Sequence, residues 1–201
     1  MVYRRTPATA ARKDARRKMI LNAATSMFGS YGYHATTVPM IVAEASSSVG
    51  SFYAHFRSKE DVFAAVLEAL GQKVTEVMDQ ARASQSDALQ GIRCAVESLF
   101  LFLADNPGDA RILIVESSGL SPRLERVRRT ILRQYAEQVC QTLESTPGAS
   151  SVSAPVIASR CLVGAVFESL CSWLEESPAD RPSAAEVAHA VADYNLRAIG
   201  R

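Results

Sequence analysis

The chain has 201 residues, of which 48% are hydrophobic and 21% are charged. This composition is typical of a globular protein with a buried core, and it excludes disordered and collagen-like chains. The longest wholly apolar run, from Cys161 to Phe167, has seven residues, whereas a membrane-spanning helix needs about 20. No apolar stretch follows the basic N-terminus. We therefore expect no contact with a membrane, no secretion signal and a cytoplasmic location.

The charge is divided unevenly along the chain. Residues 1–60 hold nine basic and three acidic residues, a net charge of +6, and the rest of the chain has a net charge of −5. A basic end on an acidic body favours contact with a polyanion through that end, and a solvated basic tail is the alternative. The cysteines are widely spaced, which predicts reduced thiols without disulfides, a metal site or a cofactor. They are Cys94, Cys140, Cys161 and Cys171.

Apolar periodicity predicts helices along the whole chain and no strands. Residues 1–10 are basic and are expected to be disordered. The predicted helices cover residues 11–31, 38–45, 49–56, 59–77, 86–105, 122–144, 155–176 and 183–199, with a short apolar piece at 112–115 and one long loop at 146–153. Thr37 and Ser58 are expected N-caps, and Ser183 with Glu186 predicts a capping box.

Two short helices joined by the turn at Ser46-Ser47-Ser48 follow a longer helix at the basic end, which indicates a helix-turn-helix. The surrounding residues are Phe28, Gly32, Thr36-Thr37-Val38, Ile41-Val42, Gly50-Ser51-Phe52-Tyr53-Ala54-His55-Phe56 and Ser58-Lys59-Glu60. In order and spacing they resemble the TetR/AcrR family of transcriptional repressors over about residues 12–70. The string from Tyr53 to Glu60 is the most diagnostic part of this resemblance.

The resemblance implies an all-α fold with an N-terminal three-helix DNA-binding head and a larger helical body. We expect a disordered basic arm at 1–10 and a head at 11–60, with the helix-turn-helix motif at about 37–56 and the family signature extending to about 74. A ligand-binding and dimerisation body is expected at 61–201.

Candidate DNA contacts follow from helix N-termini, which offer N–H groups to phosphate, and from the family pattern. They are Thr37, Ser47, Ser48, Val49, Gly50, Ser51, Tyr53, His55 and Lys59, with Arg4 and Arg5 of the arm. A half-buried core tyrosine is the alternative for Tyr53, and solubilising charge is the alternative for the arm. The turn departs from the family, which has glycine and then an apolar residue at Ser46 and Ser47. Residues 47–51 contain no Arg, Asn or Gln, so we expect modest direct base readout.

The acidic body is expected to contain a ligand cavity and a subunit interface, both implied by the resemblance. Candidate pocket residues on the helices at 86–105, 122–144 and 155–176 are Phe100, Tyr135, Phe167 and Cys171, for each of which ordinary core packing is the alternative. Candidate interface residues on the last two helices are Gly164, Val191 and Tyr194. These helices are more apolar than one core requires, which favours a partner subunit.

The resulting hypothesis is a ligand-responsive transcriptional regulator and not an enzyme. It would bind double-stranded DNA as a homodimer, most simply as a repressor on a palindromic operator, and a small apolar effector would release it. A DNA-binding adaptor or nucleoid-type protein without a ligand is the alternative. The sequence contains no G-x-S-x-G elbow, no H-E-x-x-H pair and no phosphate-binding glycine loop, which disfavours an enzyme.

Overall fold

The computed structural model describes residues 7–145, 154–177 and 179–199, and in these ranges it contains helices and turns but no strand. The helices are α1 (Pro7–Ala35), α2 (Val38–Glu44), α3 (Val49–Tyr53), α4 (Lys59–Ala83), α5 (Ala88–Asp105), α6 (Pro107–Ala110), α7 (Pro122–Ser145), α8 (Pro155–Glu175) and α9 (Ala184–Ala198). A π-helical turn, Arg111–Glu116, continues α6. The predicted all-α fold is confirmed.

The helix starts follow the predicted capping residues. The Thr37 hydroxyl accepts a hydrogen bond from the Met40 N–H, and the Ser58 hydroxyl accepts one from the Asp61 N–H. Ser183 and Glu186 form the expected capping box. Because each cap satisfies an N–H group that has no partner inside its helix, these residues set where α2, α4 and α9 begin.

Other boundaries differ from the sequence expectations. Helix α1 begins at Pro7, within the segment expected to be disordered, and continues to Ala35 past a break at Gly32, where φ is 79°. Helix α3 ends at Tyr53, three residues before the predicted end. The π-helical turn is unpredicted. Arg4, Arg5 and the loop at 146–153 lie outside the described residues.

The first core cluster joins α1, α2, α3 and the first half of α4. Phe28, Phe52 and Phe63 are fully buried in it, and the rings of Phe28 and Phe63 meet edge to face at 4.8 Å. Ile112 from the π-helical turn and Leu124 from α7 belong to the same cluster. Helices α1, α2 and α3 therefore share a core with elements of the body.

A second core cluster holds the body together. Phe100 of α5 packs edge to face on Trp173 of α8, and the Trp173 indole N–H donates to the Pro182 carbonyl at 2.9 Å. Val191 of α9 is only 8% exposed and belongs to this cluster. Within one subunit Val191 therefore packs in the core, and its place in a subunit interface stays a prediction.

Helix α8 is the one helix among the described residues that is long and apolar enough to cross a membrane, with a mean hydropathy of 1.4 over its best window. Single polar residues break up this helix, so a search for uninterrupted apolar runs misses it. Length and composition alone are weak evidence for a span, because core helices of soluble proteins pass the same test. Leu162, Val166 and Leu170 of α8 are buried within the protein.

Candidate nucleic-acid interface and interior cavity

The turn between α2 and α3 is tight and contains an unusual backbone conformation. Ser46 has a φ of 44°, the left-handed region that glycine adopts more easily. The Ser47 N–H donates to the Val42 carbonyl at 2.8 Å, which closes the turn. The Ser48 hydroxyl then accepts a hydrogen bond from the Ser51 N–H and caps α3. Serine at position 46 therefore occupies the backbone position that glycine usually fills in the family.

Helix α3 presents a mixed surface to solvent. Val49 is 47% exposed and Tyr53 is 56% exposed, while Phe52 between them is fully buried. Ser48 and Gly50 are exposed as well, and Ser51 and His55 are half-buried. Six of the eleven residues that the sequence nominates for DNA contact thus lie on or directly beside α3 and are at least partly accessible. Thr37, at the start of α2, is also exposed.

Ser47 differs from the other candidates on the turn. Its hydroxyl oxygen is buried and has no hydrogen-bond partner within the part of the chain that the structure describes. A buried hydroxyl without a partner is unfavourable by about 1–3 kcal/mol. The Ser47 side chain therefore points inward, where an apolar side chain would fit better. The family pattern has an apolar residue at this position.

Lys59 holds the end of α1 against the start of α4. Its ammonium donates to the carbonyls of Tyr33, His34 and Thr36 at 2.8, 3.3 and 2.9 Å, and it lies 4.4 Å from the centroid of the Tyr33 ring. Burial lowers the pKa of Lys59. Because an ammonium has three donors, a hydrogen bond from Lys59 to phosphate would require one of these bonds to break.

The basic face of α1 lies beside the end of α3. Burial lowers the pKa of His55, and the nearby charges of Lys13, Arg17 and Arg16 lower it further. The Arg17 guanidinium packs 5.0 Å from the centroid of the Phe56 ring. Several positive charges of α1 therefore lie near the residues that follow α3, and such charges favour contact with phosphates.

The body contains a long apolar cavity between α4, α5, the π-helical turn, α7, α8 and α9. It has a volume of about 120 Å³. Its lining on α4 runs from Leu67 near the head to Arg82 at the far end, a distance of about 22 Å at 1.5 Å per residue. Most of the lining is aliphatic, with Val74, Leu99 and Val166 among the walls. The shape is that of a narrow channel.

Two of the four predicted pocket residues line this cavity. Tyr135 and Phe167 do so, whereas Phe100 and Cys171 pack elsewhere in the second core cluster. The Tyr135 hydroxyl donates to the Gly71 carbonyl at 2.9 Å, and burial raises the pKa of Tyr135 to about 12. The hydroxyl is thus protonated and hydrogen-bonded to the backbone, so the only polar group of the Tyr135 side chain already has a partner within the protein.

Sequence reasoning missed Asn195, which lines the cavity from α9. It is 3% exposed and follows Val191 by four residues on the buried stripe of that helix. The sequence does contain a signal for Asn195, because a polar residue on the apolar stripe of an amphipathic helix is unusual and points to a special role.

The π-helical turn connects the cavity to the head. Leu113 and Ile114 line the cavity, while Ile112 beside them is fully buried in the head's core cluster. At the end of the turn the Glu116 carboxylate accepts a hydrogen bond from the Tyr33 N–H at 2.9 Å. Arg111 pairs with the same carboxylate at 3.0 Å. The π-helical turn therefore contacts both the cavity and the end of α1.

Two further contacts join the head to α6 and α7. Gly29 of α1 approaches Gly108 so closely that an added Cβ would lie 3.0 Å from the Gly108 Cα. Asp61 at the start of α4 pairs with Arg123 of α7 at 2.6 Å. The hydrogen bond from the Arg57 N–H, together with the one from Arg123, holds the pKa of Asp61 below its usual range. The head and the body are thus joined at several points.

Helices α8 and α9 leave an apolar surface without a covering element in the described part of the chain. Ile157 is 63% exposed and Tyr194 is 62% exposed. Gly164 is exposed, and a Cβ added there would meet nothing within 4 Å. Two of the three predicted interface residues, Gly164 and Tyr194, lie on this surface.

The family model described as bacterial regulatory proteins, tetR family, matches residues 20–66, which contain α2, the turn and α3. Over these residues the predicted resemblance to the TetR family is confirmed. The chain is also 28% identical over 175 residues to the HTH-type transcriptional activator FasR of Mycolicibacterium smegmatis, and the match covers 87% of this chain and 80% of FasR. The predicted class, a transcriptional regulator, is confirmed.

Solved structures share the fold of this chain. The regulator FadR from Bacillus subtilis, solved in complex with stearoyl-CoA, matches with a TM-score of 0.76 at 20% identity over 89% of this chain and 97% of FadR. A TetR/AcrR-family regulator from Thermobifida fusca YX-ER1 matches with a TM-score of 0.69 at 25% identity over 90% of this chain and 97% of that protein.

Proposed function

We propose that this protein is a ligand-responsive regulator of the TetR family that binds a palindromic operator as a homodimer and is released by a long-chain apolar effector. The long cavity in the body is the observation that carries the proposal. Open space in a core costs free energy, and a DNA-binding adaptor without a ligand has no use for it. The cavity therefore favours an effector over the adaptor alternative.

The shape and lining of the cavity support a fatty-acyl effector. A narrow apolar channel of about 22 Å suits an unbranched chain, and its walls are aliphatic. The stearoyl-CoA complex of FadR, which has a similar fold, agrees with this class of ligand. A long chain that fills the channel displaces the lining side chains that it touches.

This movement provides the coupling to DNA. A chain that enters the cavity presses on Leu113 and Ile114, and the same turn holds the end of α1 through Glu116. Displacement of the turn changes the position or mobility of the heads. The effector can weaken operator binding by no more than the difference between its binding free energies for the displaced state and the DNA-binding state.

A homodimer through α8 and α9 accounts for the uncovered surface at Ile157, Gly164 and Tyr194. A twofold axis brings the same patch of both subunits together. Two heads then read two half-sites about one DNA turn apart or a multiple of it. Each half-site is read by α3, with phosphate contacts and DNA shape contributing more than base-specific hydrogen bonds.

Selection of bound sequences from random duplex DNA, followed by competition with dodecanoyl-CoA and butyryl-CoA, tests this function. We expect a palindromic site and release by the long chain only. Transcription from a reporter with this site should fall when the protein is expressed, and a rise would identify an activator, as FasR is described. A site without symmetry, or no release by any acyl compound, would contradict the proposal.

Tyr53→Phe tests the DNA surface, with Tyr31→Phe as its control. The two tyrosines are 56% and 54% exposed, but Tyr31 lies at the end of α1 beside the body. Loss of the Tyr53 hydroxyl should weaken binding to operator and random DNA alike by about 1 kcal/mol. If both variants bind DNA as tightly as the parent protein, the Tyr53 hydroxyl does not contact DNA.

A further inference from the structure

Asn195 is a buried amide with an unused acceptor. It lies on α9, is 3% exposed and lines the cavity. Its Nδ2 donates to the Leu162 carbonyl at 3.5 Å, whereas its Oδ1 accepts no hydrogen bond from any residue that the structure describes. Exchange of the two amide atoms would place Oδ1 against the Leu162 carbonyl oxygen, so the unused atom is the acceptor.

The cost of this arrangement calls for an explanation. Buried polar groups in native proteins almost always have partners, and the neighbouring Leu143, Leu162 and Leu196 form a small apolar cluster. A leucine at position 195 would pack in such surroundings without leaving a polar atom unpaired. An asparagine there is accounted for if a ligand supplies the missing donor.

Other polar groups lie at the same end of the cavity. Arg82, Gln138 and Thr142 line it together with Asn195. Elsewhere the polar lining residues are Ser117, Arg128, which pairs with Glu125, and Tyr135, whose hydroxyl is bonded to backbone. The Arg82 guanidinium already pairs with Asp79 at 2.7 Å, so its charge is balanced within the protein. This end therefore suits a neutral polar group and offers no free cation for a carboxylate.

We propose that Asn195 binds the polar end of the effector, with its Oδ1 accepting a hydrogen bond from an uncharged donor, an amide N–H or a hydroxyl, attached to the acyl chain. This inference rests on the proposed binding of an acyl effector and adds the chemistry of its head group. An ionised fatty acid has only acceptor oxygens, and these would face Oδ1 without a proton between them.

Three probes with the same acyl chain test the proposal: N-dodecanoylethanolamine, methyl dodecanoate and dodecanoate. The first has an amide N–H and a hydroxyl, the second is neutral without a donor, and the third is an anion. We expect the parent protein to bind the ethanolamide about tenfold more tightly than the methyl ester, and the anion more weakly than both. Calorimetry or fluorescence competition measures the three affinities.

Asn195→Leu should remove the preference for the ethanolamide while methyl dodecanoate still binds, and it should raise the Tm of the free protein. Ser117→Ala is the matched control: Ser117 is 1% exposed and lines the cavity near the head, but its hydroxyl donates to the Leu113 carbonyl. This control should retain the preference. If Asn195→Leu does not fold, Asn195→Ala serves in the same comparison.

The outcomes separate the two proposals. If neither dodecanoyl-CoA nor any of the three probes binds the parent protein, the acyl effector is wrong and the role of Asn195 falls with it. If dodecanoyl-CoA binds and none of the three probes does, the acyl effector stands and the role of Asn195 is wrong. If all three bind equally, the acyl effector stands and the role of Asn195 is wrong. A preference that persists in Asn195→Leu also overturns the role, because the donor is then recognised elsewhere or by a bound water.

Discussion

At the scale of single residues, Lys59 shows that a residue of the DNA-binding signature can act on the head itself. Its ammonium closes the end of α1 through three carbonyl oxygens. The end of a helix leaves carbonyl oxygens without hydrogen-bond donors. Here Lys59 of α4, the next long helix, donates to them. The stability of the head therefore depends on a side chain that the sequence alone nominates for phosphate contact.

Lys59→Met should lower the free energy of unfolding by about 2 kcal/mol, because three charge-assisted hydrogen bonds are lost. Lys73→Met on the same helix is the control, since its pair with Asp109 involves a half-exposed lysine and contributes little. Denaturant unfolding measures both. A salt dependence of DNA binding that falls by about one unit in Lys59→Met, without loss of stability, would instead establish a phosphate contact.

Ser47→Val should stabilise the head by about 1 kcal/mol, because it replaces a buried hydroxyl without a described partner by two methyl groups. Operator affinity should not change. Ser26→Val places the same groups on an exposed position of α1 and should leave stability nearly unchanged. Unchanged melting with weaker DNA binding would show that the Ser47 hydroxyl faces DNA.

At the scale of the elements, periodicity and caps were sufficient to predict most helix positions. The stripes of α4, α5, α7, α8 and α9 are long enough for the period to be unambiguous. The π-helical turn at Arg111–Glu116 could not be predicted, because an apolar run of this length fits several backbone conformations. Pocket residues were only half predictable for a related reason: Tyr135 and Phe100 are equally aromatic, and only packing decides which of them borders open space.

Glu116→Ala should weaken the response to the effector, because the hydrogen bond from the Tyr33 N–H and the pair with Arg111 both disappear. The concentration of acyl compound needed to release half of the DNA should rise several-fold, while affinity for the acyl compound itself stays the same. Glu137→Ala, whose pair with Arg133 is exposed, is the control. Unaltered release in Glu116→Ala would show that the signal passes through another contact.

At the scale of the whole molecule, helix α8 is strongly apolar, but many of its apolar side chains are not buried by the rest of its own subunit. Its membrane-like composition and the exposed Ile157 have the same explanation in a dimer, where a second copy covers what the first leaves open. A helix that packs on its own core with one face and on a partner subunit with the other is apolar on both faces.

Gly164→Leu should shift the protein from dimer to monomer, because the added side chain meets nothing in its own subunit and can only collide with a partner. Sedimentation at several concentrations measures the shift. Ala104→Leu makes a comparable addition at an exposed position of α5, away from this surface. An unchanged dimer with raised melting temperature would show that Gly164 faces solvent, since leucine also favours the helix over glycine.

The backbone contact between Gly29 and Gly108 has a consequence for protein engineering. A chimera that grafts the head of another regulator onto this body would bring its own residue to position 29, and any side chain there would press on the backbone of α6. The graft would fold, if at all, with its head tilted away from the body and with its inducer response impaired. Exchangeable heads for this body are therefore those that carry a glycine at this position.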